Sequence, residues 1–149
     1  MISHATYMKH LINCYPPYWG TGIVVKSIAK DFSNISVEMK MHWYNRNYVR
    51  THFGGSLYAM TDPFYMLMLI RILGKGYIVW DKMARVEFVK PGTGKVKTLF
   101  TISDEQVAEI KTLASSGERI LYDLPIDVKS DSGEVVARVI KTLYIRKKK

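Results

Sequence analysis

The chain has 149 residues, 48% of them hydrophobic and 23% charged, which suits one globular domain over residues 1–149 and excludes disorder as its default state. A single cysteine, Cys14, excludes an internal disulfide framework and a cysteine-rich zinc site, and residues 1–13 lack the pattern of a signal peptide, so a reduced, cytoplasmic protein is expected. The formal charge is +9, of which Lys141, Arg146, Lys147, Lys148 and Lys149 supply five, so the excess reads as a basic C-terminal end that attracts phosphates or is simply solvated.

Taken in order, His4 to Asn13 carries Tyr7, Met8, Leu11 and Ile12 at helical spacing, and Tyr15-Pro16-Pro17 ends that helix. Gly22 to Lys30 reads as a strand. Asn34 to Trp43 is a clearer one, with Ile35, Val37, Met39, Met41 and Trp43 alternating with polar residues, and the polar Asp31 to Asn34 forms the turn between the two. Tyr44 to Thr51 is a loop. The run Phe53 to Leu73 is nearly all apolar, and a helix of about 18 residues there would be about 27 Å long. That length permits a membrane span. Asp62-Pro63 in its middle and strands on both sides point instead to the buried centre of a domain.

Tyr77 to Lys90 returns to strand and ends at Pro91-Gly92-Thr93-Gly94. Lys95 to Ser103 is another strand. Asp104 to Ser115 is a short helix capped by Ser103 or Asp104, with Val107, Ile110 and Leu113 inward. Arg119 to Lys129 alternates again. Glu134 to Arg146 closes the chain, with Val135, Ala137, Val139, Leu143 and Ile145 on one face. The expected fold is α+β: a curved antiparallel sheet of five or six strands wrapped around one long helix, with a strand edge left over for pairing between subunits.

Two features carry chemistry. Glycines at a helix start leave its free N–H groups open to a carbonyl oxygen. A carboxylate inside an apolar stretch is expensive unless paired or hydrated. Gly54-Gly55 and Asp62 supply both. The order of elements, together with Asn47 to Gly55 leading to Asp62 seven residues after Gly55, resembles the hotdog-fold acyl-CoA thioesterases of the phenylacetate-pathway type. The text His52 to Phe64, with Trp80-Asp81-Lys82 and Phe88 to Gly92, looks more like a branch classed only as a domain of unknown function. His52 stands one place before the position directly preceding the glycines, which Phe53 occupies.

The resemblance implies hydrolysis of an acyl-CoA thioester by a homodimer or a tetramer of dimers. Asp62 would act as general base or nucleophile, and the Gly55 N–H would polarise the carbonyl. Asn47, His52 and Gly54 would bind substrate, and Lys82, Arg85 and Lys90 would hold the phosphates of coenzyme A, which enters as part of the substrate with no further cofactor required. The competing reading is a non-catalytic hotdog protein that binds fatty acyl or other apolar ligands.

Other chemistries find less support. His4, His10 and His42 have no metal-ligand spacing, so no metal is expected, and no Gly-x-Ser-x-Gly elbow is present. A nucleic-acid partner lacks any base-reading motif.

Overall fold

The computed structural model describes residues 3–148. Helix α1 (His4–Asn13) is capped by the Ser3 side chain, which accepts from the Thr6 N–H, and the proline-led turn α2 (Pro16–Trp19) follows it. Six strands form one antiparallel sheet: β1 (Ile23–Ile28), β2 (Asn34–Lys40), β3 (Tyr77–Phe88), β4 (Lys95–Thr101), β5 (Ile120–Ser130) and β6 (Val135–Lys147), in the order β1-β2-β4-β5-β6-β3. The sheet curves around helices α3 (Gly54–Ala59) and α4 (Phe64–Leu73), and α5 (Asp104–Leu113) links β4 to β5. Ser103 and Gln106 close a reciprocal capping box at the start of α5.

The central apolar run is not one helix. It breaks at residues 60–63, so Asp62 lies in a turn between two helices rather than on a helix. Pro63 has no N–H to donate, and a residue before proline is held away from helical angles. The Ala59 carbonyl is not left free by this break; it accepts from the Asp62 N–H at 3.2 Å. No helix among the described residues is long and apolar enough to cross a membrane. Nor is the run buried all round. In α4, Phe64, Tyr65, Met68, Leu69 and Leu73 turn inward, while Ile70 and Arg71 face out. Phe64 and Tyr65 both pack on Phe100 of β4, with ring centroids 5.0 and 5.1 Å away. Each such side chain, fully buried, contributes about 1.5–3 kcal/mol.

Other boundaries move for local reasons. Strand β2 ends at Lys40, and Trp43 is 80% exposed instead of inward. The Asn45 side chain turns the chain there, donating to the Lys40 carbonyl at 2.8 Å and accepting from the His42 N–H at 2.6 Å. On α5, Leu113 is exposed and Ala114 is buried in its stead. The ladder between β4 and β5 is short, pairing Val96 with Ser130 and Lys97 with Lys129. Past it Tyr65 reaches β5, its hydroxyl donating to the Pro125 carbonyl at 2.8 Å.

Candidate active site

Strand β6 determines the site. Its inward residues run Ala137, Val139, Lys141, Leu143 and Ile145, so the alternation that buries four apolar side chains buries a lysine between them. Lys141 is 1% exposed. It therefore does not belong to the basic C-terminal end, which comprises Arg146, Lys147 and Lys148; Lys149 lies outside the described residues.

A buried ammonium needs partners. Lys141 Nζ donates to Asp62 Oδ1 at 2.5 Å and lies 2.9 Å from Asp81 Oδ1 on β3. The Asp81 contact is off-axis for a hydrogen bond, so that oxygen gains neutralisation without a well-aligned donor. The Tyr58 hydroxyl of α3 accepts at 3.4 Å, and its ring centroid lies 5.2 Å from Nζ. Asp81 reaches the cluster because it shares the inward face of Val79 on β3 and pairs with the buried Leu143 of β6; the bulge that follows, with Lys82 as the extra residue, returns Ala84 and Val86 to that face. Burial raises the Asp81 pKa and the nearby Asp62 charge adds to this, while Lys141 opposes it. For Lys141, burial acts to lower the pKa, but the two carboxylates outweigh it and the net shift is upward, so the ammonium stays charged.

Asp62 is 40% exposed, half open to solvent and half anchored. The Tyr18 hydroxyl of α2 donates to its backbone carbonyl. Beside it lies a cavity of about 490 Å³ between α1, α2 and the break, with Met8, Ile12, Tyr18, Ala59 and Leu67 among its walls and Asp62 as its charged residue. The sequence reading placed Asp62 at the centre of the chemistry but missed Lys141 and Asp81. The phase of β6 would have found Lys141, since it shares the parity of Val139 and Leu143. Asp81 carries a weaker signal of the same kind, since it shares the parity of Tyr77 and Val79 on β3.

The remaining site residues lie elsewhere. Gly54 and Gly55 open α3 in its first turn, where backbone N–H groups lack helical acceptors. A Cβ on Gly54 would come within 2.9 Å of the Phe88 ring, and one on Gly55 would overlap Phe53. Gly55 lines a second cavity, of about 450 Å³, with Tyr44, Arg46 and Ser56. Within one chain, then, Gly55 and Asp62 face different openings.

Asn47 closes the loop ahead of α3: its Oδ1 accepts from the Thr51 N–H at 3.0 Å, and its Nδ2 donates to Thr51 Oγ1 at 2.9 Å and to the His52 carbonyl at 3.3 Å. His52 is buried, with Nε2 2.9 Å from the Gly94 carbonyl and Nδ1 without a partner among the described residues. Burial holds its pKa below the ordinary value, against the opposing pull of the Gly94 carbonyl. Lys82 and Arg85 are exposed along β3, and Lys90 pairs with Glu134 at 2.6 Å.

A curved six-stranded antiparallel sheet holding a central helical element, here broken into α3 and α4, against its concave face is the hotdog fold. Solved structures share it over nearly the whole chain. A Pseudomonas aeruginosa protein of unknown function, called a probable thioesterase, is 16% identical with a TM-score of 0.81, covering 95% of each chain. A thioesterase from Haemophilus influenzae is 14% identical with a TM-score of 0.66, over 94% of this chain and 88% of that one. The PaaI protein of the E. coli phenylacetic acid degradation operon is 13% identical with a TM-score of 0.64, over 100% and 97%. The chain belongs to the family described as a domain of unknown function, DUF4442, which matches residues 4–145. No curated protein matches it.

Proposed function

We propose that the protein hydrolyses an acyl-CoA thioester. The observation that carries this reading is the Asp62 carboxylate, anchored by the buried Lys141 and set at the edge of an apolar cavity. In the reaction Asp62 accepts a proton from water as the water oxygen attacks the thioester carbon. The carbonyl oxygen becomes an oxyanion, and the N–H of Gly55 stabilises it; a donor of this kind is worth about 10²–10³ in rate. Collapse breaks the carbon–sulfur bond, releasing the acid and coenzyme A thiol, which takes up the proton. The thioesterases that share the fold support the same chemistry.

The separation of Gly55 from Asp62 within one chain supports a homodimer in which each site draws the glycine from one subunit and the acid from the other. The outer edge of β3, with Trp80 and Met83 exposed, is the surface for that pairing, and a tetramer of dimers would build on it. Lys82, Arg85 and Lys90 on and after this strand are the candidates for the phosphates of coenzyme A. The test is thiol release from a panel of acyl-CoA esters by the wild type and Asp62→Asn. Loss of turnover in the variant is expected, and equal rates would remove Asp62 from the mechanism.

A second reading, a non-catalytic binder of acyl chains, draws support from Asn47 and His52, whose bonds are made within the protein. Native mass spectrometry that finds a retained lipid in a protein without turnover would favour it.

A further inference from the structure

The cavity beside Asp62 has a composition that restricts what can fill it. Its volume of about 490 Å³ lies within the range of about 300–1,000 Å³ typical of small-molecule sites. Helix α1 supplies Met8, Leu11 and Ile12 on one side, and Ala59, Pro63 and Leu67 face them from the other. Of the three tyrosines that complete the wall, Tyr15 is half-exposed, and Tyr18 and Tyr58 contribute mainly ring surface. The Tyr18 hydroxyl is committed to the Asp62 carbonyl, and the Tyr58 hydroxyl accepts from Lys141. Asp62 is the one charged group among the lining residues, and it stands at one side of a mainly hydrocarbon space. A ligand that fits carries its polar, reactive group at Asp62 and nothing polar beyond it, since a buried hydroxyl or carboxylate without a partner is costly. Met8, flexible and polarisable, lets the wall adjust to tails of different shape.

We infer that this cavity is an acyl-chain site that takes an unfunctionalised aliphatic tail of medium length or longer, seated between α1 and the break that separates α3 from α4. The inference rests on the thioesterase reading for the identity of the group at Asp62, but the hydrocarbon selectivity follows from the walls alone. Short acyl groups leave the cavity unfilled. Tails that end in a carboxylate place a charge against apolar walls at the end away from Asp62.

The test uses coenzyme A thioethers, which cannot be hydrolysed, bearing ethyl, butyl, octyl and dodecyl chains, with binding to the 149-residue chain measured by calorimetry. Affinity is expected to rise by about fourfold per methylene until the cavity is filled and then to level off. An octyl chain ending in a carboxylate should bind at least about tenfold more weakly than plain octyl. Ala59→Trp, which fills the space from α3, should lower the ratio of dodecyl to ethyl affinity by about tenfold. Leu11→Asp, at a half-exposed position where folding tolerates a charge, should lower the same ratio. Affinity independent of chain length, or a ratio unchanged in both variants, overturns the inference. Steep chain-length dependence without thiol release from the matching esters upholds the acyl site and refutes the hydrolase. Hydrolysis at one kcat/KM for every chain length, with flat thioether binding, does the reverse.

Discussion

Lys141 and Asp62, 79 residues apart in the chain, meet at 2.5 Å where the middle of β6 passes beneath the break between α3 and α4. This pair joins the sheet to the candidate catalytic turn, and Asp81 adds a second carboxylate at 2.9 Å. Removing the cation leaves two carboxylates facing each other. Breaking a fully buried pair costs about 3–5 kcal/mol, and because Asp62 and Asp81 keep partial access to water we expect about 2–3 kcal/mol for Lys141→Met. Urea unfolding should show a lower midpoint with an unchanged slope. Adding Asp62→Asn and Asp81→Asn to this variant should recover much of the loss, since an uncharged cluster carries no unpaired charge. A triple variant no more stable than Lys141→Met would show that the ion cluster is not the source.

His52 makes stability depend on pH. Its folded pKa lies below the ordinary 6.5, chiefly because burial disfavours the imidazolium. The unfolded chain therefore binds a proton that the folded chain resists, and stability falls as the pH drops through 6.5 toward the folded value. One proton allows a slope of at most about 1.4 kcal/mol per pH unit. Thermal melts of the wild type over this window should show the decline, and His52→Gln, which keeps a donor for Gly94, should flatten it. Parallel curves would exonerate His52.

Gly55→Ala separates folding from chemistry. Alanine is the better helix former by about 1 kcal/mol, and the Phe53 ring that its Cβ would overlap is exposed and free to swing away. Stability should therefore stay within about 1 kcal/mol of the wild type. The methyl group and the displaced ring crowd the exposed N–H, and misplacement by about 1 Å costs about 10²-fold in rate. Thiol release at the wild-type rate would exclude Gly55 from the site.

Tyr18→Phe removes the hydroxyl that donates to the Asp62 carbonyl, the one bond from α2 to the break. A carbonyl left without this partner costs about 1–3 kcal/mol. Hydrogen exchange should quicken at residues 60–63 more than in β6. A uniform change across the sheet would mean that Tyr18 acts through core packing rather than through this bond.

Much of the fold was legible because strands advertise themselves locally. Period-two alternation marks β2, β4, β5 and β6, and the Tyr15-Pro16-Pro17 stop and the Ser103 cap bound their helices to within a residue or two. Apolar content located the central element but not its continuity. Hydrophobicity is summed along the run, whereas one proline at residue 63 divides it.

Sequence by itself determined the layers, the central apolar element and the placing of Gly54, Gly55 and Asp62 around it, because these depend on periodicity and on residues within a few turns of one another. Tertiary structure alone decided which charge answers Asp62. Lys141 sits among the basic residues of the chain's last tenth when read in order, and in the core when read by strand parity. Only the pairing of β6 with β3 brings it to Asp81, and only the break at Pro63 lowers Asp62 onto it. Coulomb partners are chosen by distance in space, and a separation of 79 residues along the chain carries no record of that distance.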